Sequence, residues 1–437
     1  MTENNASSTV ALRYGQGAMQ LRVPANTTIL QTPEIPACAN PTALLDAALA
    51  APIAAPALEQ IVRRKKPSRV VITISDITRP VPNEPIVTAL LRVLNANGVT
   101  DSQVTILVAT GMHRPSTPAE KQIMLGQALL RRVRVVDHVA DDIAGLVPVS
   151  NDPPVSVNAL FMKADLRIVT GLIEPHFMAG YSGGRKGICP ALVDLHTVQR
   201  FHGYRIMADL SSTEGVLTGN PCNEEALRIA SLVGMDFLVN VAITHDRRVA
   251  GVWAGDMIAA HAAGCEQVGK WTSAVVGEPF DLVVTSAGGF PLDQNFYQSV
   301  KGMVAALPAL GKRSTLLLLS ACHEIGSAEY TRIMLDYRND WRKFLADIAA
   351  RSQVTKDQWQ LQMQARVLER VGIEKLRLVN AGLSLPQQAQ LCVNPVGGTG
   401  NETERAQRFI DEYVAAQPTA RLAVIPEGPY TMLRRAY

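Results

Sequence analysis

The chain has 437 residues, 47% of them apolar and 19% charged, with a net charge of +3. That length predicts two domains, or three small ones, and the apolar share excludes intrinsic disorder. The weak basic balance, the short clusters Arg63-Arg64-Lys65-Lys66 and Arg131-Arg132 and an aromatic content of 5% exclude a nucleic-acid footprint, while leaving room for a small anionic substrate.

Residues 1–10 are polar and lack an apolar targeting core, and no run approaches the roughly 18 apolar residues of a membrane span. Six cysteines are scattered without a C-x-x-C pair, which fits a reducing compartment. The expectation is a soluble, cytoplasmic protein with no membrane partner.

Along the chain, short β-rich runs alternate with helical ones. Ala43 to Ala51 is alanine-rich and predicted helical before Pro52. Ser68 to Ser75 (SRVVITIS) predicts a buried strand, and Asn83 to Ala96 a helix with Asn83 as N-cap and Pro85 in the first turn. Val104 to Ala109 is the next strand and Pro118 to Leu130 the next helix. Further strands are expected at 133–136 and 166–170. A second unit begins near residue 276, with strands at 280–286, 315–321, 376–380 and 422–425. A helix is expected from about Asn295, and a long helical region over 336–371. Nearly continuous apolar strands separated by helices predict the α/β class: two α/β domains, 1–275 and 276–437, with mostly parallel buried strands and an active site in the cleft between them.

Three of the strands run into polar residues. Strand 68–75 ends in Asp76-Ile77-Thr78-Arg79-Pro80, strand 104–109 in Thr110-Gly111-Met112-His113-Arg114, and strand 166–170 in Gly171-Leu172-Ile173-Glu174-Pro175-His176. Ligands of open α/β sheets bind outside the carboxyl ends of strands, so these residues are expected at one edge. His113 and His176 there are candidates for an acid/base pair.

The densest segment is 171–202. Gly180, Gly183 and Gly184 permit close backbone approach, and Arg185-Lys186 within the same loop points to a phosphate or carboxylate. The P-loop spacing fails. Lys186 is either a simple anion contact or, in a desolvated loop, a nucleophile or attachment point. His202 is a lone imidazole. It suits nickel, copper, iron or zinc only if other ligands come from elsewhere, and no H-E-x-x-H supports a zinc hydrolase. In the second unit, Gln298 and Lys301 are three apart and share a helical face, as a grip on a carboxylate and a hydroxyl would need. The Gly288-Gly289 turn before them suggests a helix N-terminus that meets a ligand.

Taken in order, Asp76-x-Thr78-Arg79-Pro80, Gly111-Met112-His113-Arg114, Glu174-Pro175-His176, Ser182-Gly183-Gly184-Arg185-Lys186, His202 and Pro291-Leu292-Asp293-Gln294-Asn295 to Lys301 resemble the nickel-dependent lactate racemase family. The resemblance covers roughly residues 65 to 305.

It implies an isomerase that inverts the C2 stereocentre of a 2-hydroxy acid. It also implies a nickel-pincer nucleotide (nickel pyridinium-3,5-bisthiocarboxylate mononucleotide) joined covalently to Lys186, with His202 completing the nickel coordination. His113 and His176 would be the acid/base pair, and Gln298 and Lys301 would orient the substrate. Asp76, Thr78 and Arg79 match a cofactor-binding strand end; Arg79 would meet either the cofactor's anionic part or the substrate carboxylate. Maturation would require cofactor-biosynthesis proteins. The chemistry is coherent: the α-hydrogen is a poor acid, and leaving as hydride yields a planar keto acid once a base takes the hydroxyl proton. Two histidines then serve the two enantiomers. One departure stands out: the family often carries His after the Asp, and here it is Ile77, which bears on the substrate more than on the reaction. The alternative is a non-catalytic binding or carrier protein on the same scaffold, against which the presence of both histidines speaks.

Overall fold

In the computed structural model, which describes residues 7–351 and 353–436, the chain forms two compact units. One comprises Glu34–His202 with Asp209–Trp271. The other comprises the described residues up to Pro33 together with Gly203–Ala208 and the chain from Thr272 onward.

The first unit is built on a six-stranded sheet in the order Val249–Gly255, Phe237–Ile243, Leu166–Leu172, Val70–Ser75, Val104–Ala109, Arg134–Asp137. Only the first pair is antiparallel. Ile72, Ile74, Ile106, Val108 and Ile168 are buried, as expected of strands covered on both faces. Helix Asn83–Ala96 covers part of this core with Ile86, Val87, Leu90, Leu91 and Leu94, an apolar stripe of helical period. Its N-cap is Pro82, not Asn83. Asn83 lies inside the first turn, buried, and its side-chain amide has no hydrogen-bond partner among the described residues. Helix Pro118–Leu130 starts as predicted, on a Thr117–Glu120 capping box.

The second unit has a wholly parallel sheet ordered Asn394–Pro395, Leu376–Val379, Leu310–Leu319, Phe280–Ser286, Leu422–Ile425, Thr28–Ile29. The edge strand Thr28–Ile29 explains why the N-terminal residues belong here and not with 34–202. The hairpin Ser7–Tyr14/Gly17–Pro24 adds Leu12, Met19, Leu21 and Val23 to the same core as Leu282, Val284 and Leu317. The contact division therefore differs from the linear 1–275/276–437 expectation at its N-terminal end and at Gly203–Ala208. The predicted helical region 336–371 is three helices, Ala328–Tyr337, Trp341–Ala350 and Gln358–Lys375. They are interrupted where Arg338, Asn339 and Asp357 take left-handed backbone conformations. Among the described residues no helix is long and apolar enough to cross a membrane, and none of the six cysteines is in a disulfide.

Candidate active site

Strands Val70–Ser75, Val104–Ala109 and Leu166–Leu172 are parallel neighbours, so their carboxyl ends deliver Asp76, His113 and Glu174 to one edge of the first unit. Asp76 is buried there. Its Oδ2 accepts from His113 Nδ1 at 2.6 Å, and its Oδ1 accepts from Thr78 Oγ1 at 2.6 Å and from the Thr78 amide at 3.2 Å. Burial would raise the Asp76 pKa, but the hydrogen bonds from His113 and Thr78 and the charges of His113 and Arg79 outweigh it, and the net shift is downward. The carboxylate therefore stays ionised. It holds His113 in the tautomer whose Nε2 carries the lone pair. Arg79 reaches Glu174 with Nε 3.6 Å from Oε1, tying two strand-end loops together.

His176 sits on a two-residue strand paired with Gly180–Tyr181. Its Nδ1 accepts from the amides of Met178 (3.4 Å) and Ala179 (3.2 Å), so the neutral ring carries its proton on Nε2. That atom lies 3.3 Å from Lys186 Nζ. For the contact to be a hydrogen bond, the amine must accept, which requires uncharged lysine. Desolvation acts in the same sense and, with the charges of Arg185 and Arg79, brings the Lys186 pKa down to about 8. In the same position Nζ lies 5.7 Å from the centroid of the Phe201 ring.

His202 ends helix Leu195–Phe201 as its C-cap. Its Nδ1 donates to Val198 O at 2.8 Å, which leaves the lone pair on Nε2, the tautomer a metal ligand needs. Burial lowers its pKa to about 4, and the charges of Lys186 and His113 act the same way, so the ring is neutral at physiological pH. His196, by contrast, is exposed on that helix.

The Gly183-Gly184 turn owes its shape to groups absent from the sequence reading. Gly184 N donates to Asn240 Oδ1 at 2.8 Å, and His261 Nε2 donates to Ser182 O at 2.8 Å. Arg185 is almost fully buried. It donates to Ala179 O at 2.6 Å and Gly183 O at 3.4 Å and packs on His261, so it braces its own loop. A Cβ on Gly184 would fall 2.6 Å from His261 Cγ, at a φ of +54°. Gly184→Ala should therefore destabilise the protein by about 2–4 kcal/mol, the sum of a left-handed alanine and an overpacked ring. Urea unfolding checks this against Gly17→Ala, whose Cβ meets open space; equal midpoints would show that the turn tolerates a side chain.

In the second unit, helix Phe296–Ala305 starts on Asn295, whose Oδ1 accepts from Gln298 N at 2.9 Å. Gln298 and Lys301 are half-buried one turn apart, and Gln298 Oε1 is buried with no hydrogen-bond partner among the described residues. The Gly288-Gly289 turn, expected to favour a ligand, is instead packed against the N-terminal hairpin: Phe290 N donates to Gly15 O, and a Cβ on Gly289 would meet Arg13 and Gly15 at 3.2 Å.

The Lactate racemase N-terminal domain family matches residues 14–215, and the Lactate racemase C-terminal domain family matches residues 275–428. The chain is 35% identical to a lactate racemase of Lactiplantibacillus plantarum over 72% of this chain and 75% of that one. It is 30% identical to a lactate racemase of Thermoanaerobacterium thermosaccharolyticum over 89% of each. The solved structure of the lactate racemase apoprotein from Thermoanaerobacterium thermosaccharolyticum superposes with a TM-score of 0.88 at 27% identity, covering 98% of this chain and 100% of that one. A Thermotoga maritima protein shares the fold at a TM-score of 0.62 and 15% identity, covering 88% and 100%. The chain belongs to the lactate racemase family and is a racemase, an isomerase.

Proposed function

We propose that this racemase inverts C2 of a 2-hydroxy acid by moving the C2 hydrogen as hydride, with a nickel-pincer nucleotide attached at Lys186. The observation that carries this reading is the 3.3 Å contact between Lys186 Nζ and His176 Nε2, which sets an amine of lowered pKa beside a histidine placed for proton transfer. Among the described residues no group of three side chains could hold a metal ion by itself. A lone ligand such as His202 therefore suits a metal whose other donors arrive with an organic cofactor, and its neutral Nε2 tautomer fits that part. When bound, the cofactor supplies reversible hydride acceptance at the substrate carbon.

The chain's own residues handle protons and orientation. His113, backed by ionised Asp76, takes the substrate hydroxyl proton at Nε2, and the carboxylate stabilises the imidazolium that forms. His176 presents Nε2 as the atom that exchanges a proton with the substrate oxygen, and it must first gain a proton to act as the acid. In either direction one histidine takes the hydroxyl proton as a neutral base and the other gives a proton as an imidazolium, and the reverse reaction exchanges the parts. Gln298 Oε1, an acceptor without a partner among the described residues, suits the substrate hydroxyl, and Lys301 the carboxylate.

Cofactor-loaded protein should interconvert the enantiomers of at least one of lactate, 2-hydroxybutyrate, malate and mandelate, followed by chiral chromatography. In deuterium oxide the product should keep its C2 protium, because a hydride is not exchanged with water. Solvent deuterium at C2 would sink the hydride route, and no turnover by nickel-loaded protein would sink the assignment. Lys301→Met should raise KM by about 10- to 100-fold, the loss of a charged hydrogen bond, while nickel content stays constant.

A further inference from the structure

Helix Gln358–Lys375 opens with a run in which glutamine recurs at 358, 360, 362 and 364, all buried, between Trp359, Leu361, Met363 and Ala365. Three of these amides donate to backbone carbonyls of other segments: Gln360 to Tyr297 O at 2.5 Å, Gln362 to Tyr204 O at 3.0 Å and Gln364 to Leu391 O at 2.7 Å. In each of the three, Oε1 is buried without a hydrogen-bond partner among the described residues. That leaves a desolvation cost which leucine or methionine would not carry. Burial alone therefore does not account for glutamine at these positions; the donated hydrogen bond does.

Gln360 holds a particular peptide. The Tyr297 carbonyl belongs to the peptide that joins Tyr297 to Gln298, and in helical geometry it also receives the N–H of Lys301. The neighbouring Trp359 Nε1 donates to the Tyr297 hydroxyl at 2.9 Å, and the Tyr297 ring meets the buried Tyr330 ring edge-on at 5.1 Å. Tyr297 is thus pinned at its carbonyl, hydroxyl and ring. We propose that Gln360 is a positioning residue for the substrate: by holding the Tyr297 peptide it fixes the first turn of helix Phe296–Ala305, and with it the side chains of Gln298 and Lys301. This rests on the substrate-orienting role given above to those two residues.

The test uses cofactor-loaded protein and whichever of the four 2-hydroxy acids the unsubstituted enzyme racemises fastest. Gln360→Met and Gln360→Leu keep the bulk and remove the donor. Each should raise KM by about tenfold, as loss of one fixed contact point would, with kcat within about threefold and nickel per chain unchanged. A merely structural role would instead lower kcat, nickel content and melting temperature together. In a Lys301→Met background, Gln360→Met should add less than about twofold, because the group it positions is gone. KM within twofold of the unsubstituted enzyme in both variants, full additivity with Lys301→Met, or failure of both variants to fold would overturn the positioning role. An unsubstituted enzyme that is silent on all four acids overturns the function reading and this inference together; an active enzyme indifferent to Gln360 overturns this inference alone.

Discussion

Lys186→Ala should yield a folded protein that carries no covalent cofactor and racemises at least roughly 10³-fold more slowly than the unsubstituted enzyme. The reason lies in the amine's surroundings. Desolvation and the charges of Arg185 and Arg79 bring its pKa to about 8. About a tenth of the side chains are then neutral at pH 7, against fewer than about one in 10³ for an ordinary lysine. The Nε2–H of His176 stabilises that neutral form by donating to it. Lys186→Arg should fail equally, since guanidinium remains charged and cannot be acylated. Peptide mass spectrometry after co-expression with the cofactor-building proteins checks this directly: one adduct on the Lys186 peptide in the parent, none in either variant, and nickel falling from about one per chain to a trace. Acylation of the unloaded protein by an amine reagent should rise with pH around a midpoint near 8, the direction set by loss of the proton. Full nickel retention by Lys186→Ala, or an adduct on another lysine, would remove the tether from the mechanism.

Much of this was legible in sequence because parallel strands covered on both faces read as unbroken apolar runs. Val104–Ala109 and Phe280–Ser286 have the predicted bounds, and the polar residues following the strands fall at adjacent carboxyl ends. Features that depend on distant partners were not legible. Thr28–Ile29 joins a strand almost four hundred residues later, and nothing local in a two-residue strand announces that. The pairing of the Asp76 carboxylate with His113 is another, because 37 residues separate the two in sequence.

Arg185 shows the same limitation from the other side. Beside Lys186 in a glycine loop it reads as an anion contact, and in the fold its two terminal NH2 groups donate to Ala179 O and Gly183 O. Two signals could have exposed the residues behind that loop. Asn240 interrupts the apolar strand Phe237–Ile243, and His261 stands in the alanine-rich helix Ala259–Thr272. A polar side chain inside an apolar run needs a hydrogen-bond partner, and both serve the 182–184 turn.

His113→Ala should lower kcat by about 10²- to 10⁴-fold in one or both directions, the ordinary worth of a positioned general base, with nickel content unchanged. Asp76→Asn separates two explanations for its buried carboxylate. As the group that orients His113, it acts through the Nδ1–H bond. An asparagine that presents its amide there would favour the opposite tautomer and leave Nε2 protonated, so kcat per nickel should drop by at least about tenfold. Because both substitutions then remove one function, the double variant should be no slower than His113→Ala, a departure from additivity expected of groups that work as a unit. Acid sensitivity has a fixed sign. The Asp76 pKa is lowered on folding, so its stabilisation is complete above the ordinary carboxylate value near 4 and is lost only as pH falls through the lower folded value. If Asp76→Asn instead reduces nickel loading while kcat per loaded site holds, the carboxylate serves the cofactor and not His113.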